Sequence, residues 1–134
     1  MNSLQEENIQ AEFMNGLCHT LAKAAVARMP WMALAISSGQ EPDGMVVPDH
    51  AFALDPVSGR ACDVRGWFTS VHDLLAEGGL PVDGRGEPMQ WISGESARQM
   101  ISEALDSGYL RHPNIEEATR ATEAASILCR TRPL

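Results

Sequence analysis

Two short apolar runs flank a turn in PDHAFALDPVSGRACDVRGW, residues 48–67. Asp55-Pro56 and Ser58-Gly59 are strong turn formers. A short acid bonds its own backbone, proline presets φ, and glycine accepts positive φ. Such a stretch predicts an antiparallel hairpin and commits the chain to a sheet. If Asp55 pairs with Arg60 across a four-residue turn, facing positions sum to 115. His50 then faces Arg65, and Phe52 faces Asp63. Facing residues of an antiparallel pair share a side, so His50, Phe52, Leu54, Ala61, Asp63 and Arg65 lie together. His50 and Asp63 become diagonal neighbours, roughly 5–7 Å apart at the backbone, within reach of a hydrogen bond between their side chains. An odd-length turn shifts the register by one residue and gives His50 a shared side with Cys62 instead.

Helical patterns lie on both sides of this hairpin. Residues 3–14 read as a short helix with Leu4, Ile9 and Phe13 on its apolar side. Asn15-Gly16 interrupts it. A second, alanine-rich helix runs from about Leu17 to Arg28, with Asn15 as a candidate cap and Pro30 as its stop. Trp31 to Ser37 predicts a strand, and SSGQEPDGMVVPD a loop. After the hairpin, a helix starts at Thr69 or Ser70, runs through Leu74 and Leu75, and stops at Gly78-Gly79. The loop LPVDGRGEP and a short strand at Met89–Ile92 follow. Ala97, Met100, Ile101, Ala104 and Leu105 recur at helical spacing. The last helix opens at Asn114 with Glu117 three residues on, a capping-box pattern, and its expected stripe is Ile115, Ala118, Ala121, Ala125 and Leu128. The fold class is therefore α+β: a small antiparallel sheet packed against an N-terminal, cysteine-bearing helix and C-terminal helices. At 134 residues it makes a single domain, 1–134.

Charge narrows the partners. Eighteen acids against ten bases leave −8, and phosphate binding needs a basic surface, so nucleic acid is not expected. The most apolar run, Trp31 to Ile36, is strand length, so no membrane association is expected. The polar start MNSLQEENIQAEF is no secretory signal. Three cysteines, Cys18, Cys62 and Cys129, stand far apart with no CxxC. That pattern favours a reducing cytoplasm over a disulfide framework, with export by a signal-independent route left open, and predicts no metal and no cofactor.

A carboxylate bonded to one imidazole nitrogen fixes the tautomer and leaves the other nitrogen to take a proton. The candidate donor of that proton is Cys18 in NGLCHTLAKA, in the first turn of the second helix. The positive end of a helix stabilises a thiolate, and a nearby imidazolium does so further. Nucleophile Cys18, base His50 and orienting acid Asp63 then follow in chain order. The Cys18 backbone N–H is a candidate oxyanion donor, and the Asn15 side chain a second.

A cysteine at a helix start, a histidine on a strand and an aspartate on the next strand resemble the papain-like and transglutaminase-like cysteine hydrolases. G-x-C before an alanine-rich helix, then HAFALDP, a turn and CDVRGW, are similar to small bacterial and phage-borne members of that superfamily. The resemblance covers about Asn15 to Trp67. It implies Cys18 as nucleophile, His50 as base and Asp63 as orienting acid. The implied activity is that of a peptidase, amidase, deamidase or acyl transferase on a protein or peptide substrate. No glutamine stands at a clear oxyanion position, since Gln10 lies eight residues before Cys18.

Each residue also has a plainer reading. Cys18 is then a small core residue, His50 a wet strand start, and Asp63 a surface partner of Arg65 or Arg60. His19 follows Cys18 directly, so a helix turns it about 100° away, toward solvent or the rim. His72 and His112 read as surface residues, and Cys62 and Cys129 as packed. Trp67, Phe68 and Trp91 read as core. On that reading the chain is a non-catalytic, acidic protein-binding module: an accessory protein, an immunity-type inhibitor or an inactive relative of the hydrolases.

Overall fold

The computed structural model describes residues 10, 13–14, 17–40, 43, 46–77 and 90–133. Within them the order is α1 (Cys18–Arg28), β1 (Ala33–Gln40), β2 (Val46–Leu54), β3 (Ala61–Asp63), β4 (Gly66–Phe68), α2 (Val71–Glu77), β5 (Gln90–Ser93), α3 (Glu95–Asp106) and α4 (Ile115–Arg130). The strands form one antiparallel sheet in the order β4-β3-β2-β1-β5. The fold is α+β, as the sequence predicts. Most of the first expected helix and the loop after Gly78 fall outside the described residues.

The hairpin turn is built by its own residues. The Asp55 carboxylate accepts from the N–H groups of Val57 (2.9 Å) and Ser58 (3.3 Å). Gly59 takes φ 82°, a region that side chains with a Cβ avoid. Asp55 N–H then closes onto the Arg60 carbonyl at 2.8 Å. Ala53 pairs with Cys62 and Leu54 with Ala61, which is the register expected from a four-residue turn. The second strand is not continuous to Trp67, however. It turns at Val64–Arg65 and returns as β4, because the Asp63 carboxylate accepts the Arg65 N–H at 2.8 Å and Gly66 adopts φ 119°. The segment expected as a loop before the hairpin is largely paired: β1 extends to Gln40 opposite Val46.

Alternation along the strands divides the core. Leu34, Ile36, Ala51, Ala53 and Cys62 face α1, α3 and α4, whereas Ala35, Phe52, Leu54 and Ala61 face α2 through Val71, Leu74 and Leu75. Small residues let helices approach closely, and Ala25 of α1 packs with Ala121, Ala124 and Ala125 of α4. Fully burying a side chain such as Phe52 or Leu128 stabilises the fold by about 1.5–3 kcal/mol. The predicted capping box is present. Asn114 Oδ1 accepts the Glu117 N–H at 2.8 Å, and Glu117 Oε1 accepts the Asn114 N–H at 2.9 Å. The stripe of α4 is rotated from the expected one: Ile115 and Ala118 are exposed, and Glu117 is buried because Arg111 pairs with it at 2.6 Å. No helix among the described residues is long and apolar enough to cross a membrane.

Candidate active site

Cys18 is the first residue of α1, and Leu17 is the N-cap. Leu17 makes no side-chain capping bond. The expected cap at Asn15 is therefore replaced by Leu17. Asn15 itself, the side-chain oxyanion candidate, lies outside the described residues. The β2–β3 ladder is only two pairs long. Just beyond it, the Ala51 N–H donates to the Cys18 sulfur at 3.3 Å. The sulfur thus takes a strand donor that a longer ladder would have given to β3, and it joins the helix start to β2.

His50 sits where β2 departs from regular pairing. Ile36 pairs with Ala51 and Ser38 with Pro48, so Ser37 alone stands opposite Asp49 and His50. That is a β-bulge, a device that re-aims a side chain. Ser37 is fully buried and satisfies it: the His50 N–H donates to Ser37 Oγ at 3.1 Å, and the hydroxyl returns a bond to the His50 carbonyl at 3.3 Å. Nothing in the sequence marks Ser37, because a bulge arises from the pairing of two strands.

The expected contact between His50 and Asp63 is present. His50 Nε2 meets Asp63 Oδ2 at 2.8 Å. Asp63 also holds Arg65, whose Nη2 donates to the same oxygen at 2.6 Å while Nε reaches both oxygens at 3.2 Å. Arg65 is fixed in turn by the Leu74 carbonyl at 3.0 Å and by the Phe68 ring, 4.9 Å from its guanidinium carbon. The plainer reading of Asp63 as a surface ion pair does not hold, because its side chain is buried. The expected facing of His50 with Arg65 is not formed: β3 ends at Asp63, and Arg65 reaches that carboxylate from the turn into β4.

These contacts set the protonation states. Burial by itself raises the Cys18 thiol. The neighbouring His19 and His50 side chains, the His50 charge and the Ala51 N–H outweigh it and bring the thiol down to about 6. Burial by itself lowers His50, yet the bonds to Asp63 and Cys18 lift it to about 9. With Nε2 on Asp63, Nδ1 is the nitrogen left for the sulfur. Burial also opposes the charge on Asp63, but His50 and Arg65 keep its carboxyl below the usual range. The three directions agree: they favour the thiolate of Cys18, the imidazolium of His50 and the carboxylate of Asp63. Cys62 provides a contrast within the same core. It is equally buried, and burial together with the Asp63 charge pushes its thiol far up.

His19 is not on the rim. It is 1% exposed, and its Nε2–H donates to the Arg111 carbonyl at 3.0 Å. Its Nδ1 is buried with no hydrogen-bond partner among the described residues. His19 thus ties the start of α1 to the segment before α4. Replacing it with Leu is expected to move the Cys18 titration upward by at least about half a unit, whereas Gln, which keeps a donor for Arg111, preserves it. Thiolate absorbance against pH measures this, and equal midpoints in the two variants would remove His19 from the positioning of Cys18.

Of the remaining expectations, His72 and His112 are exposed and Cys62 and Cys129 pack in or against the core. Trp67 and Phe68 are half-buried, and the Trp67 indole N–H donates to the Leu128 carbonyl at 2.9 Å. Trp91 is exposed rather than core, because β5 is an edge strand. Among the described residues no three His, Cys, Asp or Glu side chains are arranged to hold a metal ion. The reactive group is enclosed: Cys18, His50 and Asp63 are 5%, 1% and 4% exposed. The space beside the sulfur, bounded by Leu21, Ala51, Phe52 and Asp63, has no room for a water molecule. Comparison of the chain with family models, curated proteins and solved structures returned no match.

Proposed function

We propose that the protein is a small cysteine hydrolase or acyl transferase acting on an amide or thioester of a protein or peptide. One observation carries this reading. A buried imidazole held by a buried carboxylate at 2.8 Å stands on the strand whose next residue, Ala51, donates its N–H to the Cys18 sulfur at a helix start, and the thiol is lowered while a second buried cysteine is pushed up. A core cysteine has no use for a charged form.

In the reaction the Cys18 thiolate attacks the carbonyl carbon, forming a C–S bond and moving the carbonyl electron pair onto oxygen. The Cys18 N–H, which by position has no intrahelical acceptor, is the donor for that oxyanion. Collapse expels the amine or thiol, which takes its proton from His50. His50 then removes a proton from water, or from an acceptor amine, as that group attacks the thioester. The C–S bond breaks and the thiolate returns. Asp63 keeps the ring oriented and its charged form stable throughout. The rate profile kcat/KM is accordingly expected to rise through about pH 6, as the thiolate forms, and fall through about pH 9, as the imidazolium is lost.

Incubation of the Cys62→Ser/Cys129→Ser protein with a small activated ester tests the proposal. An acyl group on Cys18, seen by intact mass and decaying faster in this protein than in its His50→Ala variant, is the expected result, with Cys18→Ala unlabelled. The enclosure of the sulfur favours the second reading, an acidic binding module. A native protein that stays unlabelled, while the unfolded chain labels at all cysteines, would decide for that module.

A further inference from the structure

We propose a binding site for a small amphipathic carboxylate in the cavity between α1, β1 and α3. The cavity measures about 460 Å³, within the range of small-molecule sites. Its apolar lining is Val26 and Ala27 from α1, Leu34 from β1 and Leu105 from α3. Its polar lining is Lys23, Arg98 and Ser102. In a chain of net charge −8, both charged groups on this wall among the described residues are cations. Lys23 has no ion-pair partner among the described residues, and Arg98 has only a loose contact with the exposed Glu95 at 3.9 Å.

Two like charges facing one space repel and leave a positive field there. A carboxylate relieves it, since a guanidinium offers it two parallel donors and Ser102 a further hydroxyl. The apolar side has a different requirement. Val26, Leu34 and Leu105 gain nothing from a bare anion, but they gain from a hydrocarbon tail that displaces water. Head and tail together fix the ligand class: one carboxylate on a short alkyl or aryl chain. The helical wall of the cavity begins five residues beyond Cys18, roughly 7–8 Å along the axis. The site is thus separate from the sulfur and does not depend on Cys18 being a nucleophile.

Titration of the ¹⁵N-labelled protein with sodium octanoate, followed by amide shifts, tests the site. Octanol carries the tail alone and acetate the head alone. Octanoate is expected to give saturable shifts at Lys23, Val26, Leu34, Arg98 and Ser102, with an affinity at least about 10-fold above either fragment. In Lys23→Glu/Arg98→Glu, octanoate binding falls by about 10-fold or more while octanol is unchanged. Both residues are exposed, so the variant keeps the fold, and its dispersed spectrum verifies this. Equal affinity for octanol and octanoate, shifts on another face, or indifference to the charge reversal would each overturn the assignment.

Discussion

His50→Ala is expected to slow alkylation of Cys18 at pH 7 by roughly 100-fold or more. The size follows from the protonation equilibrium. A thiol at about 6 is mostly thiolate at pH 7. His50 supplies both a hydrogen bond and a positive charge to that thiolate, and without it burial is the leading influence. The thiol then returns at least to the ordinary range near 8.5–9, where only about 1% is ionised at neutral pH. Iodoacetamide rates from pH 5 to 10, in a Cys62→Ser/Cys129→Ser background, measure the shift. Wild type should show a midpoint near 6, and His50→Ala none below about 8.5. An unchanged midpoint would mean that the imidazole does not hold the thiolate, and the proposed nucleophile would go with it.

Asp63→Ala is expected to be the most destabilising single change at this site, by about 3–5 kcal/mol. The carboxylate is buried and takes bonds from His50, from the Arg65 guanidinium and from the Arg65 backbone. Removing it leaves a guanidinium 14% exposed with, among the described residues, the Leu74 carbonyl and the Phe68 face. It also releases the turn that sends β3 into β4. Thermal unfolding measures the loss as a fall of roughly 10–20 °C. Asp63→Asn keeps the shape and a hydrogen-bond acceptor, so it should cost less. Its larger effect should be to lower His50 and raise Cys18, because the charge that lifts the imidazole is gone. The linkage has a definite sign. A carboxyl held low in the native state adds stability above its unfolded value near pH 4 and loses it as pH falls through the native value. Wild type should therefore lose stability in acid more steeply than Asp63→Asn. Equal acid slopes would show that this carboxylate is not preferentially ionised in the folded protein.

The hairpin was the most legible part of the chain. Asp55, Pro56, Ser58 and Gly59 act within four or five residues of one another, so their turn chemistry, and with it the register, is a local matter. The same holds for Asn114 and Glu117, which cap α4 from within one helical turn. Other side chains owe their place to a distant partner. His19 looks like a rim residue by its angle from Cys18, and only the Arg111 carbonyl, far along the sequence, makes it a buried one. Ile115 fits an apolar stripe, yet Glu117 takes the inward position because Arg111 neutralises it. Trp91 is apolar enough for a core, but its strand lies at the sheet edge.

By itself the sequence determined the class of fold, the register that puts His50 and Asp63 on one side, and the place of Cys18 at a helix start. Each rests on the periodicity of strands and helices or on turn residues that bond their own neighbours. The tertiary structure alone decided that the sulfur meets the imidazole. That needs α1 to pack so that Cys18 takes the Ala51 N–H, and a bulge opposite Ser37 to re-aim the ring. Both depend on contacts between segments far apart in the chain, whose energies come from shared burial and carry no local signature.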